Sequence, residues 1–269
     1  MYLDSIKRKI RHRFAMQNLA YYGKLYGSYG LDYEALIAAG TISMMSQRTV
    51  TVLDVGANKG DYSSLLVRRL PQDAAIHCFE PSVDHRPTLE SLERQHADKI
   101  HFHPVGLSSQ VGTTTLFKDR TGSGLASLYE RDIACHGLKL SQREVVDITT
   151  LDQWCSVMGI DEISFMKVDV EGHELDVFNG GQNMLGSGRI NALQFELGGC
   201  NIDSRTYLKD FHSLLARQYG YLLYRLAPGK RLVDLNSYRE SSEFFSWQNI
   251  CAFRLRTFIP RDFAIINEY

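Results

Sequence analysis

The sequence has almost no net charge. Its 30 Lys and Arg against 31 Asp and Glu leave −1 over 269 residues. That balance supplies no long-range field to hold a polyanion, so nucleic acid is excluded as the principal partner. Long apolar runs are also missing: the longest mostly apolar stretch, Ala35 to Met45, falls well short of the ~20 residues that a membrane-spanning helix needs. No apolar segment with a small-residue cleavage site follows the basic N-terminus, so no secretory signal is read there and the expected location is cytoplasmic. Five cysteines (Cys78, Cys135, Cys155, Cys200, Cys251) contain no Cys-x-x-Cys pair, which argues against zinc or dithiol chemistry and fits reduced core thiols. No Gly-x-Ser-x-Gly elbow offers a hydrolase nucleophile. With six prolines, no Pro- or Ser-rich linker and no internal repeat, nothing marks a clean domain boundary.

What is present reads as one α/β domain over residues 46–269, preceded by a helical cap over residues 1–45. The cap carries the one concentrated charge, Lys7, Arg8, Lys9, Arg11 and Arg13. That run is a solvated helix face that could also meet anionic lipid or an acidic sugar as a peripheral contact. From Val50 onward, short β-branched runs alternate with amphipathic stretches, the pattern of βαβ units around a mainly parallel sheet. Strands are expected at Val50–Val55, Ala75–Phe79, Ile100–Pro104, Ile163–Val168, Asn191–Leu197, Tyr221–Leu226 and Ile250–Leu255. A helix over Tyr62–Leu70 stops before Pro71, another runs to Gln95, and Thr150 with Gln153 forms a capping box opening a helix through Met158. Asp203 or Ser204 is the expected cap of a helix carrying Phe211, Leu214 and Leu215. Residues 105–148, punctuated by Gly106, Gly112, Gly122, Gly124 and Gly137, read as hairpins or a loop excursion.

The most informative segment is Leu53-Asp-Val-Gly-Ala-Asn-Lys-Gly-Asp-Tyr62, a strand entering a tight turn and then a helix. Small residues at Gly56, Ala57 and Gly60 let a ligand approach the backbone. The dinucleotide fingerprint would need glycines where Asn58 and Asp61 stand, and an acid at 61 repels a pyrophosphate at the helix start. A sulfonium and an amino-acid ammonium tolerate the acids, so the turn favours S-adenosylmethionine over NAD. Glu80 ends the next strand, where a carboxylate can accept from both ribose hydroxyls. Gly106-Leu107-Ser108 follows the third strand on the ligand-binding edge and can hold the adenine.

Lys167-Val-Asp-Val-Glu-Gly-His-Glu174 is the densest concentration of titratable groups, at another strand's C-terminal end. Methyl transfer to a hydroxyl requires alignment, exclusion of water and removal of the hydroxyl proton. Asp169, Glu171 and His173 are the candidates. The His-Glu pair is not the zinc-peptidase motif, because Val177 stands where its second histidine would be. His101 and His103 share a strand face but lack a nearby carboxylate, so no metal site is expected. Tyr224, Arg225, Tyr238, Arg239, Trp247 and Asn249 could offer a sugar a stacking surface, with ordinary burial the first reading.

The stretches Asp54-Val-Gly-Ala-Asn-Lys-Gly-Asp-Tyr-Ser63, Phe79-Glu-Pro81 and Lys167 to Glu174, in that order, resemble those of the FkbM-type methyltransferases. The resemblance covers roughly residues 50 to 200. It implies a class I methyltransferase fold, Rossmann-like, with a mainly parallel seven-stranded sheet flanked by helices. It also implies S-adenosylmethionine held by Asp54, Gly56, Asn58, Gly60 and Glu80, with Asp169 and Glu171 near the transferred methyl. Ala57, Tyr62, Pro81, Gly106, Leu107 and Ser108 complete the expected donor site. The expected acceptor is a hydroxyl on a sugar, a glycan or a natural product. Two other readings stand beside it: an NAD-dependent sugar enzyme, disfavoured by Asn58 and Asp61, and a nucleoside-binding partner protein without catalysis, disfavoured by the intact acids at 169 and 171.

Overall fold

The computed structural model describes residues 10, 11, 14, 30–46, 49–134 and 137–267. The basic N-terminal run apart from Arg11, most of the expected cap, and Cys135 lie outside the described residues. Among the described residues there are twelve strands: β1 Thr51–Val55, β2 Ala75–Phe79, β3 Ile100–His103, β4 Gly106–Leu107, β5 Gly112–Lys118, β6 Gln142–Thr149, β7 Phe165–Val168, β8 Ala192–Leu197, β9 Leu222–Ala227, β10 Arg231–Asp234, β11 Gln248–Phe253 and β12 Ala264–Asn267. Nine of them form one sheet in the order β12-β10-β9-β11-β8-β7-β1-β2-β3. The expected seven strands are β3-β2-β1-β7-β8-β11-β9, with β11 antiparallel to both of its neighbours. The hairpin partner β10 and then β12 extend that edge.

The sheet is central because its strands are apolar on both faces. All five residues of β1 are buried, the mark of a parallel strand covered on both sides. Leu53, Val55, Val168 and Phe195 face one layer, with Phe178 and Phe211 from the helices packed over them. Val52, Ile76, Phe165 and Phe253 face the other, beneath the helices Leu31–Ser43, Asp61–Val67 and Arg86–Gln95. Each such side chain, fully buried, contributes about 1.5–3 kcal/mol. Cys78, Cys155, Cys200 and Cys251 are free and buried, as expected of core thiols.

The helix Leu31–Ser43 lies against the helical layer and buries Ala35, Ile37, Ala38 and Ile42. Its Glu34 reaches the sheet, where Gln194 Nε2 (3.2 Å) and Asn249 Nδ2 (3.1 Å) donate to the carboxylate. Thr150 caps its helix through the Gln153 N–H at 3.1 Å. The helix read as Tyr62–Leu70 ends earlier, at Val67. The cap expected from Asp203 or Ser204 is not formed. Cys200–Ser204 is a short helix of its own, closed by Arg205 in the left-handed region (φ 57°). The next helix starts at Leu208, where Asp210 accepts from the Tyr207 N–H and Glu243 from those of Leu208 and Lys209.

Within residues 105–148 the chain forms a second sheet, β4-β6-β5, whose closing loop pairs Ser127 with Phe117. No helix among the described residues is long and apolar enough to cross a membrane.

Candidate active site

Sequence order reverses between β1 and β7, which lie side by side in the sheet, and ligands of open α/β sheets collect beyond the strand ends at such a point. Two loops meet there. After β1, the N–H groups of Gly56 and Ala57 both donate to the Phe79 carbonyl (3.0 and 2.9 Å), tying the turn to β2. Gly56 has φ 83°, and a Cβ there would lie 1.9 Å from the Asp169 carbonyl oxygen. Only glycine lets the two loops touch. Asn58 adopts φ 51° and turns its N–H onto Glu80 Oε2 at 2.9 Å, while the Ser82 N–H donates to Oε1 at 3.0 Å. Burial pushes the Glu80 carboxyl up to about 7 despite these bonds. A carboxylate has about four lone-pair sites, so acceptor capacity remains for a ligand.

Asp54, fully buried and opposite Lys167 in the β1–β7 register, accepts from Ser63 Oγ at 2.7 Å. Its other oxygen has no protein partner, and burial raises its pKa. Tyr62 is buried with its ring 5.2 Å from Lys167 Nζ. Asp54, Ala57, Gly60, Tyr62 and Ser108 support the turn and its surroundings and do not line the cavity. Val55, Gly56, Asn58, Glu80, Pro81, Gly106 and Leu107 do.

The acid loop after β7 is organised from below by Glu174, which is fully buried. Its Oε1 accepts from the N–H groups of Val170 (3.2 Å) and Gly172 (3.0 Å), and Oε2 from Asn201 Nδ2 (3.4 Å). Burial raises this carboxyl to about 7. These bonds hold Glu171 at φ 53°, a conformation that a non-glycine residue adopts only when its surroundings enforce it. Ser127 Oγ, from the small-sheet segment, donates to the Glu171 carbonyl at 2.7 Å.

Side chains of the loop have distinct partners. Lys167 Nζ lies 2.8 Å from Asp169; burial opposes its charge, but Asp169 and Asp54 outweigh that and raise its pKa. Arg131 forms a short ion pair with Glu171 and approaches Asp203 at 3.6 Å. Burial and the neighbouring Asp169 push Glu171 up to about 7 against the pull of Arg131. Both His173 nitrogens are engaged: Nε2 with Ser108 Oγ at 2.9 Å, and Nδ1 with the Tyr129 hydroxyl at 3.3 Å and Asp176 at 3.5 Å. Burial lowers the His173 pKa, so the neutral ring ties β4, the insertion and the acid loop together.

Asp169, Glu171 and His173 line the same cavity as the glycine turn, with a volume of about 600 Å³, within the size range of small-molecule sites. Of the charged residues lining the cavity, Glu196 and Arg131 were not singled out as site residues from the sequence, whereas Trp247 was read there as part of a sugar surface. Glu196, near the C-terminal end of β8, brings a third carboxylate, and oxygens of Asp169, Glu171 and Glu196 lie within 4.8 Å of one another. Its signal was legible, since it occupies the same strand-end position as Glu80 and Asp169. Arg131, in an irregular loop, gave no signal. Trp247, half-exposed, stands on the wall with Phe245. Of the other residues read as a sugar surface, Tyr224, Arg225 and Asn249 are buried, and Arg225 bonds Gln248 and the Ser242 carbonyl. Tyr238 donates to Glu243. His101 and His103 stack with His77, and His77 and His103 each pack edge-on against Trp154.

A family model described as Methyltransferase FkbM domain matches residues 54–223. The chain is 27% identical over 155 residues to the 2-O-methyltransferase NoeI of Sinorhizobium fredii, a match covering 54% of this chain and 62% of that protein. It is 24% identical over 143 residues to Methyltransferase 1 of Beauveria bassiana, covering 48% and 57%. The matches thus span about three-fifths of the length of these two curated relatives. The methyltransferase FkbM of Methylobacillus flagellatus superposes with a TM-score of 0.48 at 15% identity, covering 91% of this chain and 59% of that one.

Proposed function

The chain belongs to the FkbM methyltransferase family, and we propose that it transfers the methyl group of S-adenosylmethionine to a hydroxyl oxygen of a carbohydrate-like or natural-product acceptor. The observation that carries this reading is the single cavity shared by the glycine turn, Glu80 and the carboxylates of the acid loop.

The residues present fit the donor. Gly56, at positive φ, lets the turn lie against the acid loop and presents bare backbone to the cavity, while Gly60, also at positive φ, leaves room for Leu89 and Leu92 behind the turn. Glu80 is buried, fixed by two backbone N–H groups and left with lone pairs for ribose hydroxyls. Gly106 and Leu107 supply a neighbouring wall for a flat base. The donor brings an electrophilic methyl group on a positively charged sulfur.

The chain's part is then to hold an acceptor hydroxyl in line, exclude water and take a proton. The acids at the ends of β7 and β8 line the cavity and can accept one. Leu116, Leu125 and Leu128 of the insertion and the half-exposed Trp247 form its more apolar side. Aromatic rings stack on the C–H faces of sugars as well as on other apolar rings. The relative NoeI, by its name, methylates a 2-hydroxyl, which supports an oxygen as the acceptor atom here.

The test is incubation with methyl-labelled S-adenosylmethionine and a panel of monosaccharides, glycosides and polyhydroxylated natural products. The expected product gains one methylene in mass and keeps its label through mild alkali, as a methyl ether does. Label found only on amines, or lost in alkali as from a carboxyl ester, would overturn the proposal.

A further inference from the structure

Three carboxylates converge at the acceptor side of the cavity, but they are not equivalent. Asp169 has Lys167 beside it at 2.8 Å, and Glu171 has Arg131, which also faces Asp203. Among the described residues no cation lies within ion-pair distance of Glu196, and the Trp247 side chain stands beside it on the cavity wall. The two cations are also shared with Asp54 and Asp203. With the acids ionised and no ligand bound, negative charge therefore stays uncompensated in a largely buried setting, which is costly.

We propose that Glu196 takes the proton of the acceptor hydroxyl, and that the positive charge of the bound donor is what readies it to do so. This rests on the function proposed above. Facing Glu196 are Asp169 and Lys167 from β7 and its loop, Glu171 from the same loop, Cys200 from the helix Cys200–Ser204 and Trp247 before β11, with Arg131 of the insertion on the same cavity wall. Burial, then Asp169 and Glu171, drive its pKa well above the ordinary carboxylate range, while Trp247 and Lys167 pull it down. Without the donor, its surroundings therefore favour the protonated form of Glu196. A cation entering the cavity supplies the missing positive charge and favours the ionised form, so the proton leaves as the donor binds.

In the transfer step the acceptor oxygen forms a bond to the methyl carbon as the carbon–sulfur bond breaks. The bonding pair goes to sulfur, which becomes neutral, and the hydroxyl proton passes to Glu196. The product state then has the same charge as the donor-free one: a protonated acid and a neutral thioether. Exchange of the product for a fresh donor then resets the trio.

The test needs no acceptor. Calorimetric titrations at one neutral pH, in two buffers of different ionisation enthalpy, count the protons exchanged when S-adenosylmethionine or S-adenosylhomocysteine binds the full chain. Release of a proton with the sulfonium and much less with the thioether is the expected result. Glu196→Gln should remove the difference while keeping the affinity for S-adenosylhomocysteine within a few-fold. Equal release by both ligands, or full release retained in Glu196→Gln, would overturn the proposal. So would loss of the difference in Glu171→Gln but not in Glu196→Gln. Binding of neither compound would instead defeat the donor assignment. Should Glu196→Gln not fold, Trp247→Phe removes the indole N–H that favours the ionised form and should move the midpoint of proton release to higher pH. An unmoved midpoint would contradict the assignment.

Discussion

The backbone of Gly56 touches that of Asp169: a Cβ on the first would stand 1.9 Å from the carbonyl oxygen of the second. The donor-side turn and the acceptor-side loop are thereby held to one spacing, reinforced by the Asp169 N–H bond to the Val55 carbonyl at 2.9 Å. Gly56→Ala adds a left-handed conformation costing about 1–2 kcal/mol to a clash that only backbone movement relieves. Thermal unfolding should show a clear fall in melting temperature, with affinity for S-adenosylhomocysteine lost in parallel. An unchanged melting temperature would mean that the loops can separate freely.

Glu80→Ala removes a carboxylate that organises the Asn58 and Ser82 N–H groups and retains lone pairs for two ribose hydroxyls. Hydrogen bonds to a charged group contribute about 1.5–3 kcal/mol, so S-adenosylhomocysteine should bind at least ~10-fold more weakly. Asp54→Ala should weaken binding and lower the melting temperature as well, because it removes one of the two acids that balance the buried Lys167. Calorimetry and thermal melts on the two variants separate these effects.

Arg131 and Glu171 form a largely buried pair joining the insertion to the acid loop. Removing one partner of such a pair costs about 3–5 kcal/mol, because the other charge stays behind. Arg131→Met should therefore destabilise strongly, whereas the double variant Arg131→Met with Glu171→Gln should recover part of the loss. A double-mutant cycle in denaturant measures that coupling; additive losses would show that the pair is not coupled. Glu171→Gln alone should leave S-adenosylhomocysteine binding intact and slow methyl transfer.

The stack of His77 and His103 against Trp154 makes the fold acid-sensitive. Burial, followed by the neighbouring histidines, lowers His77 from 6.5 to about 3 and His103 to about 4. Between those values and 6.5 the unfolded chain binds more protons than the folded one, so this contribution to stability is full above pH 6.5 and lost as pH falls. The melting temperature of His77→Phe should change less between pH 7 and pH 5 than that of the parent chain (pH window set by the same linkage). An equal change in both would place the acid sensitivity elsewhere.

The βαβ pattern was legible because parallel strands buried on both faces read as mainly apolar runs without alternation, and β1, β2, β7 and β8 do so despite Asp54, His77, Lys167, Gln194 and Glu196. The turn was legible because Gly56 and Gly60 need positive φ, and Glu80 because it ends a strand at the ligand edge. Glu196 obeys the same positional rule but stands outside the dense acid loop, so its importance emerges only when β8 is set beside β7. Arg131 could not be read, since its role depends on how the β5–β6 excursion folds back across the cavity, a matter of tertiary contact with no sequence period. Trp247 was grouped with Tyr224 and Arg225, which point to opposite faces of β9 and are both buried because the strand is covered on both sides. The helix cap was misplaced because Arg205 in the left-handed region divides Cys200–Ser204 from the helix that follows.

The account stands on the cavity being built for an adenosyl donor, and titration of the purified chain with S-adenosylhomocysteine, with NAD in parallel, tests that most directly. Micromolar binding of the adenosyl compound, weakened in Glu80→Ala, with no binding of NAD, is the predicted result. Binding of NAD alone, or of neither, would contradict it.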